Sequence, residues 1–171
     1  MKNEEGREEF IQLWGTIGTN WGINRTMAQV HALLLISADA QSAEDVMEAL
    51  NVSRGNVNMN LRALIDWGLV RKTHKAGERR EFFIAEKDAW KMARQIIRER
   101  KRRELDPVRN SLKELSQVEG DDVDTVAFRK MMTDLSQLTS EADVALETLM
   151  NSERTWVMQT FMKFLAKKQK S

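Results

Sequence analysis

The chain of 171 residues contains no cysteine, no tyrosine and a single proline, Pro107. Lack of cysteine excludes disulfides and thiolate metal sites. With one proline and eight glycines there are few helix breakers, and the wealth of Leu, Met, Ala, Glu, Lys and Arg favours a mostly helical protein. No apolar run approaches the ~18 residues of a membrane span, and the opening MKNEEGREEF is too acidic for a signal or transit peptide. A cytoplasmic, soluble chain with no membrane partner is the expectation. The two histidines, His31 and His74, have neither metal-ligand spacing nor a Ser or Cys partner pattern, and no glycine-rich phosphate loop occurs. Neither an enzyme nor a cofactor nor a metal is expected.

What is present is an uneven charge. The net charge of +1 hides a middle third, residues 42–103, with 15 basic and 9 acidic side chains, while residues 1–41 carry 3 and 5 and residues 104–171 carry 9 and 12. A locally basic segment suits a polyanionic partner, although a solvated surface can also be unevenly charged. The hydrophobic content of 42% is enough for one compact domain with a core, or a smaller domain plus an oligomerisation element.

Hydrophobic periodicity predicts a first helix over 3–20 with a buried stripe of Phe10, Leu13, Trp14, Ile17 and Trp21. After a break at Gly22 comes a helix over about 24–37 that buries Met27, Val30, Leu33, Leu34 and Ile36. The segment ADAQ reads as a loop. Ser42 and Asp45 form a near capping box for a helix over 43–50. A tight turn at Asn51-Val52 and a second cap, Ser53, start a helix to about Trp67, with Gly68 as its stop. The period then changes. LVRKT and EFFIA read as two strands around the link HKAGERR, a hairpin. Asp88 can cap a helix over 89–103, and Asp106-Pro107 looks like a fresh helix start. Helices over about 107–118, 123–138, 140–150 (capped by Ser140) and 153–168 complete the chain. The last is apolar on most sides, so a partner subunit is its expected neighbour.

Two short capped helices joined by a tight turn and followed by a hairpin have the order of a winged helix-turn-helix, whose second helix enters the DNA major groove. At about 100° per residue, Val57, Leu61, Leu64 and Ile65 form one stripe of that helix. Gly55, Asn56, Met59 and Arg62 occupy the opposite face with Asn58 on its flank, and Asn60 lies nearer the buried side. Four asparagines within ten residues weaken a helix, so amides here need a reason. An Asn amide matches adenine N6 and N7, and Met59 can press on a thymine methyl. Ser53 and the helix N-terminus can hold a phosphate, which Gly55 lets approach. Arg54 and Arg62 can reach bases or phosphates, and Lys75, Arg79 and Arg80 at the hairpin tip suit a wing on the DNA backbone. The basic run RERKRREL over 98–105 reads as a solvated face, with at most a minor phosphate role.

VSRGNVNMNLRALIDWGLVRKTHKAGERREFFIAEKDAWKMARQIIRERKRREL closely resembles the MarR superfamily, in the branch named for the glycine-betaine-synthesis regulators. The signature SRGNV-x-MNLR-x-L, the DWGLV turn, GERREFF and ERKRREL carry the resemblance, over about a third of the chain. It implies a cytoplasmic homodimer that represses, or sometimes activates, transcription at pseudo-palindromic operators on double-stranded DNA. It also places Ser53, Arg54, Gly55, Asn56 and Asn58 at recognition-helix positions and Arg79 and Arg80 in the wing. Some members of the branch sense choline or glycine betaine through an aromatic cage. The five tryptophans (Trp14, Trp21, Trp67, Trp90 and Trp156) are explained by core packing, so a small-molecule effector stays open and unidentified.

The expected class is therefore mainly α, a winged helix-turn-helix flanked by N- and C-terminal dimerisation helices. Residues 1–41 would form the N-terminal dimerisation and scaffold helices, 42–86 the DNA-binding domain, and 87–171 a linker helix with the C-terminal dimerisation region. Trp14, Ile17, Trp156, Phe161, Phe164 and Leu165 are the expected dimer residues. The alternative is a winged helix that binds protein rather than specific DNA, which would call for an apolar or acidic recognition face.

Overall fold

The computed structural model describes residues 2–152, which form two compact units, one up to Gln95 and one from Ile96 onward. In the first unit, α1 (Asn3–Asn20) packs on α2 (Arg25–Ile36), and α3 (Ala43–Leu50) and α4 (Arg54–Asp66) follow. Strands β2 (Val70–Thr73) and β3 (Phe82–Ala85) make the hairpin. A two-residue strand β1 (Gln41–Ser42) adds to β3, giving an antiparallel sheet of order β1-β3-β2. The stretch read as a loop therefore ends in a strand, in which Gln41 faces Phe83 and Ser42 faces Phe82. Two residues show no alternation, so only the free edge of β3 defines them as a strand.

The core lies between α2 and the winged helix: Val30, Ala32, Leu33, Leu34, Val46, Val57, Leu61, Leu64, Leu69, Val70, Phe82 and Phe83 are all buried. α1 meets α2 differently from its expected stripe. Its buried positions are Ile11, Gly15 and Gly18, and a Cβ on Gly18 would stand 2.5 Å from that of Ala28. This close approach through small residues turns Leu13 and Trp21 outward, to 54% and 56% exposure, so neither joins the stripe proposed for it. Phe10, Trp14 and Ile17 are half-buried.

Two cations hold the C-terminal end of α2. Lys87 donates from Nζ to the carbonyls of Leu34, Leu35 and Ser37 at 2.7, 2.7 and 2.8 Å, and Arg7 donates to that of Ile36 at 3.0 Å. Carbonyls at a helix end have no partner within the helix, and a positive charge there also favours the dipole. Residue Lys87 thereby ties the exit of β3 to α2.

α5 (Ala89–Arg100) leads into the second unit. No fresh start occurs at Asp106-Pro107. Leu105 and Asp106 keep helical angles, and a π-helical turn, Lys101–Leu105, joins α5 to α6 (Asp106–Leu115). Pro107 has no N–H for the carbonyl four residues back and its ring crowds that carbonyl. The wider turn, in which the Asp106 N–H donates to the Lys101 carbonyl, lets the helix pass it. α7 (Val123–Asn151) is also one helix rather than two. Ser140 caps nothing: its hydroxyl donates to the Ser136 carbonyl at 2.8 Å, and no Gly or Pro interrupts the stretch. The helix expected over 153–168, with Trp156, Phe161, Phe164 and Leu165, lies outside the described residues.

The basic run over 98–105 is engaged within the unit. Buried Glu99 pairs with Arg102 and Arg103, and the hydrogen bond from Arg102 is the main reason its carboxyl titrates below the usual range. Arg100 pairs with Glu104 at 2.9 Å. Lys101 pairs with Asp143, Glu147 and Asp106 at 2.8, 3.2 and 3.3 Å, and its hydrogen bond to Asp143 chiefly holds its ammonium above the usual lysine range.

Candidate nucleic-acid interface

Local chemistry builds the helix-turn-helix. Ser42 caps α3 by accepting from the Asp45 N–H at 3.2 Å, while its own N–H donates to the Asp45 carboxylate at 2.8 Å. That backbone bond is the main reason the Asp45 carboxyl titrates below its ordinary value; the Ser42 hydroxyl adds to it, and the charges of Arg80 and Lys75 act in the same direction. α3 ends on Asn51, whose φ of 51° is left-handed, a conformation Asn tolerates better than most side chains. The chain then closes the turn with a bond from the Val52 N–H to the Met47 carbonyl at 3.2 Å. Ser53 caps α4 by accepting from the Asn56 N–H at 3.4 Å. Gly68, at φ 69°, stops α4: its N–H and that of Leu69 return to the carbonyls of Ile65 and Leu64.

α4 sorts its faces as the periodicity implies. Val57, Leu61 and Leu64 are buried and Ile65 half-buried. Ser53, Arg54, Gly55, Met59 and Arg62 are exposed, with Met59 at 57%, and Asn56 and Asn58 are half-buried. Asn60 is buried at 2%. Its amide donates to the Asn56 carbonyl at 2.9 Å and to the Asn56 side-chain oxygen at 2.6 Å.

At the wing, Lys75, Arg79 and Arg80 are all exposed. Lys75 Nζ stands 4.3 Å above the ring of buried Phe82, and the Arg80 guanidinium lies 5.4 Å from the same ring. This cation–π seat orients both side chains. Arg80 also pairs with Glu78 at 3.2 Å, and that hydrogen bond raises its already high pKa. Arg79 has no ion-pair partner among the described residues.

The two basic elements converge on one acidic corner. Arg54, at the start of α4, pairs with Glu44 at 2.8 Å. Arg80 lies within electrostatic reach of Glu44 and Asp45, and Lys75 within reach of Asp45. Arg54 thus contacts the first turn of α3, and the charges of Lys75 and Arg80 act on the same turn. The role of Glu44 as counter-ion was not read from the sequence, where it is one more acid in a helix N-terminus. Trp14 and Ile17, expected at a dimer interface, sit half-buried within the unit. The Trp14 ring meets Phe10 and His31, with centroids 5.5 and 6.2 Å away. Among the described residues, no group of three or more His, Asp or Glu side chains could hold a metal ion, and no helix is long and apolar enough to cross a membrane.

Comparison with known proteins agrees with this architecture. Residues 21–81 match the sequence profile of the MarR family. Over 76 residues, 44% of this chain, the sequence is 30% identical to the HTH-type transcriptional regulator MmpR5 of Mycobacterium tuberculosis; the match spans about half of that relative, 46%. A crystal structure described as a transcriptional regulator superposes with a TM-score of 0.57 at 24% identity, covering 80% of this chain and 95% of that one. Residues 21–81, which span most of the winged helix-turn-helix, are thus similar to the MarR family, and the chain shares its fold with a solved protein described as a transcriptional regulator.

Proposed function

We propose that the chain is a sequence-specific DNA-binding transcriptional regulator. It acts as a homodimer on a pseudo-palindromic operator, most simply as a cytoplasmic repressor, within the glycine-betaine-synthesis-regulator branch that its SRGNV-x-MNLR motif resembles. The carrying observation is that Arg54, at the start of α4, pairs with the acidic first turn of α3, on which the wing cations Lys75 and Arg80 also act, beside an amide-bearing α4. An apolar or acidic face, as a protein-binding winged helix would need, is not what α4 presents.

The N-terminus of α4 enters the major groove. Ser53 and the first N–H groups take a phosphate, Arg54 and Arg62 reach phosphate or base edges, and Asn58 and Met59 meet adenine and a thymine methyl. Gly55 supports this reading. A Cβ there would meet nothing within 4 Å, so the fold does not require glycine. Gly55 lies in the first turn of α4, where a side chain would fit, and close approach of a DNA backbone accounts for its absence. DNA phosphates replace Glu44 and Glu78 as partners of Arg54 and Arg80. Both pairs are solvent-exposed, so the exchange costs little.

The exposed side of α7 supports dimerisation. Phe128, Met131, Leu135, Leu138, Ala142 and Ala145 alternate in steps of three and four and are all exposed, the four large side chains from 36% at Leu135 to 61% at Leu138. That is the spacing of a coiled-coil seam. Asp143, which pairs with Arg109 of α6, lies off this line. A second copy covers the seam and sets two recognition helices ~34–36 Å apart, one turn of B-DNA. Any effector would act by altering that spacing.

The test is a fluorescence-anisotropy titration against the chain's own upstream intergenic DNA and a scrambled duplex at two salt concentrations, with Asn56→Ala and Arg79→Ala alongside. The native duplex should bind more tightly, Asn56→Ala should narrow that gap, and Arg79→Ala should flatten the salt dependence. Equal binding of both duplexes, or affinity indifferent to salt, contradicts the proposal.

A further inference from the structure

We infer that Asn60, which is buried and touches no DNA, determines which base Asn56 reads, by holding the Asn56 amide with its oxygen turned inward. The inference rests on the reading of α4 as the groove helix. Asn60 lies one turn beyond Asn56, where side chains on a helix meet. Its side-chain nitrogen is 2.9 Å from the Asn56 backbone carbonyl, a group that can only accept. The Asn60 group at that point must therefore be its NH2. The same nitrogen, which can only donate, lies 2.6 Å from the end of the Asn56 side chain, so the Asn56 atom there must be the oxygen. Chemistry alone fixes both orientations.

With its oxygen engaged, half-buried Asn56 offers the groove its NH2 as a donor. Adenine needs a donor and an acceptor presented together; with the Asn56 oxygen turned towards Asn60 and one of its two lone pairs taken, only the NH2 faces the groove, and the adjacent N7 and O6 acceptors of guanine match a donor. The adenine contact passes to Asn58, whose amide has no intrachain partner among the described residues. Asn60 is thus a positioning residue for specificity, and Asn56 is a guanine reader.

The experiment selects bound sequences from a randomised duplex pool using the full chain. The position read by Asn56 is the one whose preference disappears in Asn56→Ala. There the unmodified protein should favour guanine over adenine by roughly threefold or more, the scale of a single net hydrogen bond. Asn60→Leu removes the tether at similar volume and should shift that position towards adenine, with non-specific affinity and its salt dependence unchanged. Asn56→Asp, which keeps the bond from Asn60 but turns a second oxygen outward, should shift it towards cytosine, whose N4 donates. Slow exchange of the Asn60 side-chain amide protons, lost in Asn56→Ala, should report the tether without DNA. A wild-type preference for adenine, an unchanged preference in Asn60→Leu, or fast exchange of the Asn60 amide overturns this inference while leaving the DNA-reading proposal standing. Failure to select any sequence overturns both.

Discussion

His31 gives the winged-helix unit an acid limit. It is 3% exposed on α2, and the Trp14 indole N–H donates to its Nδ1 at 3.4 Å, so the neutral ring carries its proton on Nε2. That Nε2 has no partner among the described residues. Burial, reinforced by the positive charge of Lys87, lowers the pKa from 6.5 to about 4. Because the folded value lies below the unfolded one, the unfolded chain binds more protons between these pH values, and stability falls as pH falls through that window. One pKa unit corresponds to about 1.4 kcal/mol, so the loss reaches about 2 kcal/mol by pH 5 and about 3 kcal/mol by pH 4. Above pH 6.5 the contribution is fully present. Urea denaturation followed by circular dichroism, with hydrogen exchange of the α2 amides, should show this loss between pH 7.5 and 4.5. His31→Asn retains an acceptor for Trp14 and cannot titrate, so its stability should stay flatter over the same range. Parallel decline of the two proteins would refute the reasoning.

Three further outcomes follow from the packing and charge. Lys87→Met leaves the carbonyls of Leu34, Leu35 and Ser37 without their cation and should destabilise the first unit by about 1–2 kcal/mol, measured by urea denaturation at pH 7.5; no change would mean that water replaces the ammonium. Glu44→Gln releases Arg54 and should tighten DNA binding at low salt while altering stability by less than about 0.5 kcal/mol; weaker binding would show that Glu44 positions Arg54 rather than competing for it. Leu138→Asp on the α7 seam should shift the sedimenting species from dimer to monomer, and an unchanged dimer would place the interface elsewhere.

The winged helix was legible because its signals are local. Ser42 with Asp45, Ser53 and Gly68 each fix a helix end through atoms within a few residues, and Val57, Leu61 and Leu64 keep a strict helical period. The separation of Asn60 from the other amides also follows from the helical angle alone. The sequence was silent where partners are distant. Lys87 reaches carbonyls 50 to 53 residues away, and β1 exists only because β3 offers an edge. Local signals also misled. Asp106-Pro107 has the form of a helix start, yet a π turn carries the helix through it, and Ser140 has the form of a cap but bonds back into α7. Leu13 and Trp21 have the spacing of core residues, but sequence spacing cannot show that Gly15 and Gly18 bring α1 close to α2 and turn that stripe outward.

The central claim, that α4 lies in the major groove, can be tested with a single thiol. The native chain has no cysteine, and Met59 is exposed on the proposed reading face, so Met59→Cys gives one attachment point for an iron–EDTA cleavage reagent. On its preferred duplex, the labelled protein should cut at two confined sites ~10 base pairs apart, one per recognition helix, in the pattern of a major-groove source. Diffuse cleavage along the duplex, or none above the level of free reagent, would contradict the account.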